Sequence, residues 1–425
     1  MPTPCVVPRL LNFARDDLSQ LMEAAQTVAS FPCAPNRSDS PHRMRLCPAC
    51  VNSAASIVII EHSPMELVMS NPNQRLQDAG QSLWIDNITR TMLRDGTLTD
   101  YRDRLAVSGL TSNPSIFEKA IENSDDYNDD IRDSSSREAE QVFFDLAVAD
   151  LRRAAAVFAP IHARTNGVDG WVSLEVSPLL ADDAKATIEQ AIALHQRAAV
   201  ENLFIKVPGT SAGVEAIEEL VWRGVPVNVT LLFSADQYQC AAEAWMRGLE
   251  RRLADGLDLD VASVASLFIS RWDVKVAKNV PRSLRNRLGL AVAADAYARY
   301  RELLDSRRVQ RLMNAGARPQ RLLWASTSTK DPDASDVLYV ENLIAPLTIN
   351  TMPGETLQSF ADHGQVKSVM PRDDDAVRTL LEQFAEHDQH VGKLAQALQV
   401  EGAAAFADSW NSLLGTLKKR MESPA

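Results

Sequence analysis

The sequence has no apolar run approaching the roughly 18 residues that a membrane span needs. Arg9, Arg15, Asp16 and Asp17 interrupt any amino-terminal stretch that could act as a secretory core, so neither an integral membrane protein nor a signal-bearing one is expected. Cysteine is scarce and unevenly spread: of five in 425 residues, Cys5, Cys33, Cys47 and Cys50 fall at the start and only Cys240 lies later. A chain of this length has no need of disulfides to make up for a small core. Basic residues are outnumbered, 44 Lys+Arg against 56 Asp+Glu, and the formal charge of −12 repels a phosphate backbone, so no nucleic-acid partner is expected. No Gly-x-Gly-x-x-Gly follows the first strand-like segment and no Walker lysine motif is present, which removes the usual signs of a doubly wound nucleotide-binding sheet. What remains is a globular composition, 45% hydrophobic and 24% charged.

Residues 1–70 mix Pro, Ser, Arg and Cys and differ from everything after them. Cys47-Pro-Ala-Cys50 has the spacing of a zinc half-site or a redox pair, but no second pair completes it, and no metal is expected. The segment reads as an extension that is flexible or outside the catalytic fold, with Met65 or Met69 as alternative starts. Asp16, Asp17 and Glu23 argue against a transit peptide, which leaves the cytoplasm as the expected location.

From Gln81 onward, short branched apolar segments alternate with longer stretches of helical period. The predicted strands are Leu83–Asn87, Ala106–Thr111, Trp171–Val176, Leu203–Val207, Val225–Phe233, Val261–Ile269, Arg321–Ser326 and Leu347–Asn350. Between them, Ala184–Ala199, Gly213–Trp222, Ala235–Ala254 and Leu290–Arg307 carry apolar residues three and four apart, as helices packed on a sheet do. Eight such units predict a (β/α)8 TIM barrel, a single catalytic domain over residues 71–425 ending in carboxyl-terminal helices. In that fold the chemistry collects at the carboxyl ends of the strands.

Polar residues appear where the apolar runs stop: Asp86 and Asn87, Thr111 to Asn113, Glu175, Lys206, Asn228 with Thr230, Ser266 with Arg271, and Thr327 to Lys330. Each alone reads as a turn or a cap; together they are aimed at one rim. Lys206 is the most informative, because it interrupts Leu203-Phe-Ile-Lys-Val-Pro208 and projects from an interior strand. Burial disfavours a charged amine and leaves a neutral nucleophile for a ketone carbonyl. Carbinolamine formation, dehydration and C–C cleavage each move a proton, and Asp86 and Glu175 are the carboxyl candidates. The alternative for either carboxylate is a plain ion pair with Lys206 or Arg271.

Gly209-Thr-Ser211-Ala-Gly213 matches the nucleophile elbow of serine hydrolases, but the later histidines, His363, His387 and His390, lie in a helical region that suits no such triad. Thr210 or Ser211 is instead expected to cap the following helix. His387 and His390, three apart on a predicted helix, read as a solvated face, and the acidic runs Asp125–Asp133 and Asp373–Asp375 as exposed loops and helix starts.

Six ordered motifs then resemble one family. They are Gln81-Ser-Leu-Trp-Ile-Asp-Asn-Ile-Thr-Arg90, Gly109-Leu-Thr-Ser-Asn-Pro-Ser115, Val172-Ser-Leu-Glu-Val176, Phe204-Ile-Lys-Val-Pro-Gly-Thr210, Val227-Asn-Val-Thr-Leu-Leu-Phe-Ser234 and Leu347-Thr-Ile-Asn-Thr-Met-Pro353. The set is similar to transaldolase in its longer bacterial branch, over about Asn71 to Leu417. The resemblance implies a cofactor-free, class I aldol transfer of dihydroxyacetone from sedoheptulose 7-phosphate to glyceraldehyde 3-phosphate, yielding erythrose 4-phosphate and fructose 6-phosphate. It implies Lys206 as the Schiff-base lysine, Asp86 as the acid/base at the C4 hydroxyl, and Glu175 as the carboxylate acting through a water. Asn113, Asn228, Thr230 and Ser266 match substrate positions and Arg271 a phosphate-binding arginine. A second such arginine of the shorter branch falls at Pro346, and Lys330, with Thr327 and Ser328, is expected to take its place. Sugar phosphates are the expected partners, in a monomer or homodimer; a fructose-6-phosphate aldolase or a non-catalytic binding barrel is the competing expectation.

Overall fold

The computed structural model describes residues 71–134, 136, 138–371 and 375–422. The predicted extension 1–70, with its Cys47/Cys50 pair, and Asp373 and Asp374 lie outside the described residues. The described chain builds eight parallel strands: β1 Gln81–Asp86, β2 Gly109–Thr111, β3 Val172–Glu175, β4 Leu203–Pro208, β5 Val227–Leu232, β6 Ser263–Phe268, β7 Arg321–Ala325 and β8 Thr348–Met352. They pair in the order β2-β1-β8-β7-β6-β5-β4-β3. Between β2 and β3, hydrogen bonds from Leu110 N to Trp171 O (2.9 Å) and from Gly170 N to Ser108 O (3.0 Å) bridge the remaining seam, making the predicted (β/α)8 barrel. Gly109 is required there, because a Cβ would stand 2.7 Å from both Trp171 O and the Trp84 ring.

Every predicted strand is present, with adjusted ends. β2 begins three residues late and β8 one residue late because Ala106 and Leu347, counted as strand starts from the sequence, adopt left-handed φ values of 57° and 64°. β8 runs on to Met352 instead of stopping at Asn350, which brings Thr351 into the barrel. β3 to β8 are buried along their whole length, as strands covered on both faces must be, and this is why they read as nearly continuous apolar runs. Capping residues at the strand-to-helix turns start the helices: Asn113, Asp183, Thr210 and Ser234 each accept a backbone N–H of the helix they open.

The register divides the barrel interior into two storeys. Side chains two apart share a face and register partners point the same way. The pairings Glu175↔Lys206, Lys206↔Asn228, Asn228↔Val264, Val264↔Arg321, Leu323↔Ile349, Thr351↔Trp84 and Asp86↔Thr111 therefore define one continuous inner face. Its lower storey is apolar, with Trp84, Trp171, Phe204, Val264, Leu323 and Ile349 in one cluster and the Trp171 and Phe204 rings stacked at 4.2 Å. Two residues further along the strands the same face turns polar: Asp86, Thr111, Glu175, Lys206, Thr230, Ser266 and Thr351.

Outside the barrel, Arg90 is an anchor of the helical layer. Its guanidinium donates to Asp150 at 3.1 Å and to Asp130, and lies 4.3 Å from the Tyr127 ring centroid, while Asp150 is fully buried. Burial pushes the Asp150 carboxyl upward, opposed by Arg90. Arg90→Leu strips that carboxylate of its closest counter-ion, leaving only the largely exposed Arg153 at 3.9 Å, and a loss of about 3–5 kcal/mol in denaturant unfolding is expected.

Candidate active site

The polar storey opens at the carboxyl-terminal mouth into a cavity of about 190 Å³, lined by Asp86, Asn113, Lys206, Thr230, Ser266, Arg271 and Lys330 among others. It shares Asp86, Asn113, Arg271 and Lys330 with an adjoining groove of about 720 Å³. Eight of the eleven residues given site roles from the sequence thus line one space. A further cavity, of about 660 Å³, lies at the opposite mouth and contains none of them.

Lys206 is 5% exposed, and its Nζ donates to Ser112 O at 3.0 Å and stands 3.3 Å from Glu175 Oε2. That carboxylate oxygen is buried and has no aligned hydrogen-bond donor among the described residues. Burial raises the Glu175 carboxyl above its ordinary range; the charge of Lys206 and then that of Arg271 pull it back, and Asp86 pushes it further up. Asp86 is raised in the same way by burial, against the Lys206 charge and a hydrogen bond from Thr111. Thr111 Oγ1 donates to Asp86 Oδ1 at 2.8 Å, so the 2.8 Å contact between the Thr111 and Thr351 hydroxyls has Thr351 as donor. The result is two carboxyls raised above their ordinary range, one beside the amine and one lining the same cavity, an arrangement that can move protons at a carbon centre bonded to that amine.

Three of the other residues divide by task. Asn228 is fully buried and does not reach the cavity: its Nδ2 donates to Ser173 Oγ at 3.2 Å and its Oδ1 accepts from Ser266 Oγ at 2.7 Å. It therefore holds Ser266, which does line the cavity. Asn113 Oδ1 caps the helix Pro114–Glu122 while the residue itself borders the cavity, so the turn reading and the site reading both hold. Thr230 is the reverse case. Its Oγ1 is buried, lines the cavity and has no hydrogen-bond partner among the described residues. Thr230→Val is accordingly expected to leave stability within about 0.5 kcal/mol, since no bond is broken, while lowering turnover in a steady-state assay.

At the outer end, Arg271 and the exposed Lys330 face the same space together with Ser326 and Ser328. Burial lowers the Arg271 guanidinium from its usual range and Glu175 opposes this. Two expectations need correction here. Pro346 precedes β8, and its Cα lies 3.4 Å from where a Cβ on Gly80 would stand, just before β1. It is at the amino-terminal rim, so no residue at 346 can share a ligand with Arg271. Thr327 also turns away, its hydroxyl donating to Asn350 Oδ1 at 2.9 Å. The loop after β7 supplies Ser326, Ser328 and Lys330 instead.

The competing motifs are resolved locally. Thr210 Oγ1 accepts from Gly213 N at 3.1 Å, which makes Gly209–Gly213 a capped helix start. His387 and His390 are exposed and lie in the turn between the helices Asp375–Glu386 and Val391–Glu422, not on one helix as predicted. Phe268, Thr351, Ser173 and Phe406 belong to the site or its support and were not singled out from the sequence; the period-2 continuation of β8 would have shown Thr351.

Comparison with known proteins accounts for this arrangement. Residues 83–417 match the family described as Transaldolase/Fructose-6-phosphate aldolase. The chain belongs to that family. A protein named Transaldolase from Parafrankia sp. is 42% identical over 84% of this chain and 100% of its own length. One from Frankia alni is 43% identical over 83% of this chain and 98% of its own. Another from Thermobifida fusca is 41% identical over 83% and 99%. The activity is that of a transaldolase, an enzyme on a TIM barrel. Among the described residues no helix is long and apolar enough to cross a membrane, and no group of three or more His, Cys, Asp or Glu is placed to hold a metal ion.

Proposed function

We propose that Lys206 carries the transfer as a Schiff base, moving dihydroxyacetone from sedoheptulose 7-phosphate to glyceraldehyde 3-phosphate and forming erythrose 4-phosphate and fructose 6-phosphate. The observation that carries this reading is the placement of one buried amine beside the buried Glu175 carboxyl and in one cavity with the half-buried Asp86, both carboxyls having raised proton affinity. Nζ attacks the C2 carbonyl, and loss of water from the carbinolamine leaves an imine; Glu175, beside Nζ, exchanges these protons through a water. Asp86 takes the C4 hydroxyl proton, the C3–C4 bond breaks, and its electron pair passes into the enamine while erythrose 4-phosphate departs as the aldehyde. The enamine then attacks C1 of glyceraldehyde 3-phosphate, Asp86 returns the proton to the new hydroxyl, and water hydrolyses the imine. Arg271 supports the substrate phosphate, joined by Lys330 and the hydroxyls of Ser326 and Ser328. Asn113, Thr230 and Ser266 support the dihydroxyacetone unit.

In this reading residues 71–425 form the catalytic unit, no cofactor takes part, the enzyme works in the cytoplasm as a monomer or homodimer, and neither nucleic acid nor a membrane is a partner. Borohydride reduction with fructose 6-phosphate tests it: a sugar-derived mass on the peptide containing Lys206 is expected, and its absence overturns the proposal. Assaying product formation with and without acceptor aldehyde separates transfer from release. Free dihydroxyacetone formed without acceptor at the rate of transfer would make the chain a fructose-6-phosphate aldolase.

A further inference from the structure

Arg271 is mostly buried, yet its guanidinium makes no hydrogen bond or ion pair among the described residues. Five N–H donors are left for a ligand. What holds the group is apolar: its Cζ lies 4.9 Å from the Phe268 ring centroid and 5.8 Å from that of Phe406. Phe268 ends β6, whereas Phe406 comes from the carboxyl-terminal helix Val391–Glu422, is 5% exposed, and lines both the cavity and the adjoining groove.

The same helix is fitted to the barrel mouth along one face. Gln399, Gly402 and Phe406 are spaced three and four apart and so point the same way. Gln399 Nε2 donates to Gly209 O at 2.9 Å and to Leu231 O at 3.0 Å, tying the helix to the ends of β4 and β5. Leu231 is left-handed, with φ 58°, at the register shift of β5 against β6. At Gly402 a Cβ would stand 3.1 Å from Arg271 Nη1 and 3.0 Å from Leu231 Cδ2. The glycine is the space that the guanidinium uses. Lys275 pairs with Glu401, and Ser115 and Ser409 share a 2.7 Å hydroxyl contact, fixing the helix on either side.

We propose that the carboxyl-terminal helix is part of phosphate recognition, with Phe406 and Gly402 as positioning residues that hold the Arg271 guanidinium between two rings, its N–H edge turned to a sugar phosphate. A planar cation stacked this way keeps its donors in one plane, which suits the bidentate geometry of a phosphate monoester. The proposal rests on the Schiff-base reading above and adds the source of its selectivity for phosphorylated substrates.

The test compares two probes of one lysine, the half-saturation of borohydride trapping at Lys206 by fructose 6-phosphate and by dihydroxyacetone, which lacks the phosphate. In Phe406→Leu the ratio of the two is expected to rise about tenfold, the loss of one charge-assisted contact. Gly402→Ala is expected to move the ratio the same way although alanine favours the helix, so unfolding is not the cause. Phe406→Tyr, which keeps the ring, is expected to restore it, and adding Phe406→Leu to Arg271→Ala to change nothing more. Equal shifts for both probes, or no shift, would overturn the proposal. If the unaltered protein forms no adduct with either probe, the Schiff-base reading itself fails, and this proposal with it.

Discussion

Lys206→Met is expected to abolish transfer, lowering erythrose 4-phosphate formation by at least about a thousandfold, or roughly 4 kcal/mol of barrier. Methionine fills nearly the same volume in an apolar strand, so the barrel is kept while the amine that stands beside Glu175 and shares the cavity with Asp86 is lost. The borohydride adduct should vanish in parallel. Residual activity within about tenfold of the unaltered enzyme would mean that the amine is not the nucleophile. The substitution also removes the cation that draws Glu175 back toward its ordinary range. Burial then acts nearly unopposed, and any residual proton transfer through Glu175 should shift to higher pH.

Asp86→Asn is the second large effect. Loss of a general acid/base is worth about 10²–10⁴-fold, and the cleavage half-reaction should fall by that amount while imine formation at Lys206 persists as a trappable adduct. The pH dependence has a definite sign. Burial raises the Asp86 carboxyl above its ordinary 3.8, so the folded state holds this proton more tightly than the unfolded chain. Stability from this group is full below 3.8 and is lost as pH rises from there through the raised folded value. Cleavage, which needs the carboxylate, should therefore have an acid limb above the range of a free aspartate. Asparagine removes both effects. Denaturant titration at pH 4 and pH 7 should show the variant gaining stability relative to the parent at the higher pH; an equal difference at both would show that Asp86 carries no displaced proton.

Much of this site was legible without coordinates because a parallel strand announces itself twice. Its apolar run marks the strand, and the polar residue that ends the run marks the rim. Lys206, Glu175 and Asp86 were found this way: Lys206 sits two residues beyond the inward Phe204 and Asp86 two beyond the inward Trp84, while Glu175 faces inward as the register partner of Lys206. Where polar residues served the fold, the same signal misled. Thr327 closes a hydrogen bond to Asn350, and Asn228 holds Ser266 from within the wall, although both end apolar runs as the lining residues do. Pro346 was misplaced for a different reason. It stands beside a strand motif, but at the entry to β8, and only the strand's direction tells entry from exit.

The sequence by itself determined the eight-unit barrel, the amine and its two carboxyls, because period, burial and costly charge are properties of short segments. Tertiary structure alone decided what confronts them. That Thr351 donates into the Thr111–Asp86 pair, that the loop after β7 faces Arg271, and that Gly402 and Phe406 close over its guanidinium all depend on contacts between distant parts of the chain. A helix's periodicity shows which face is buried but not what lies beneath it; that is settled only when the carboxyl-terminal helix packs across the barrel mouth.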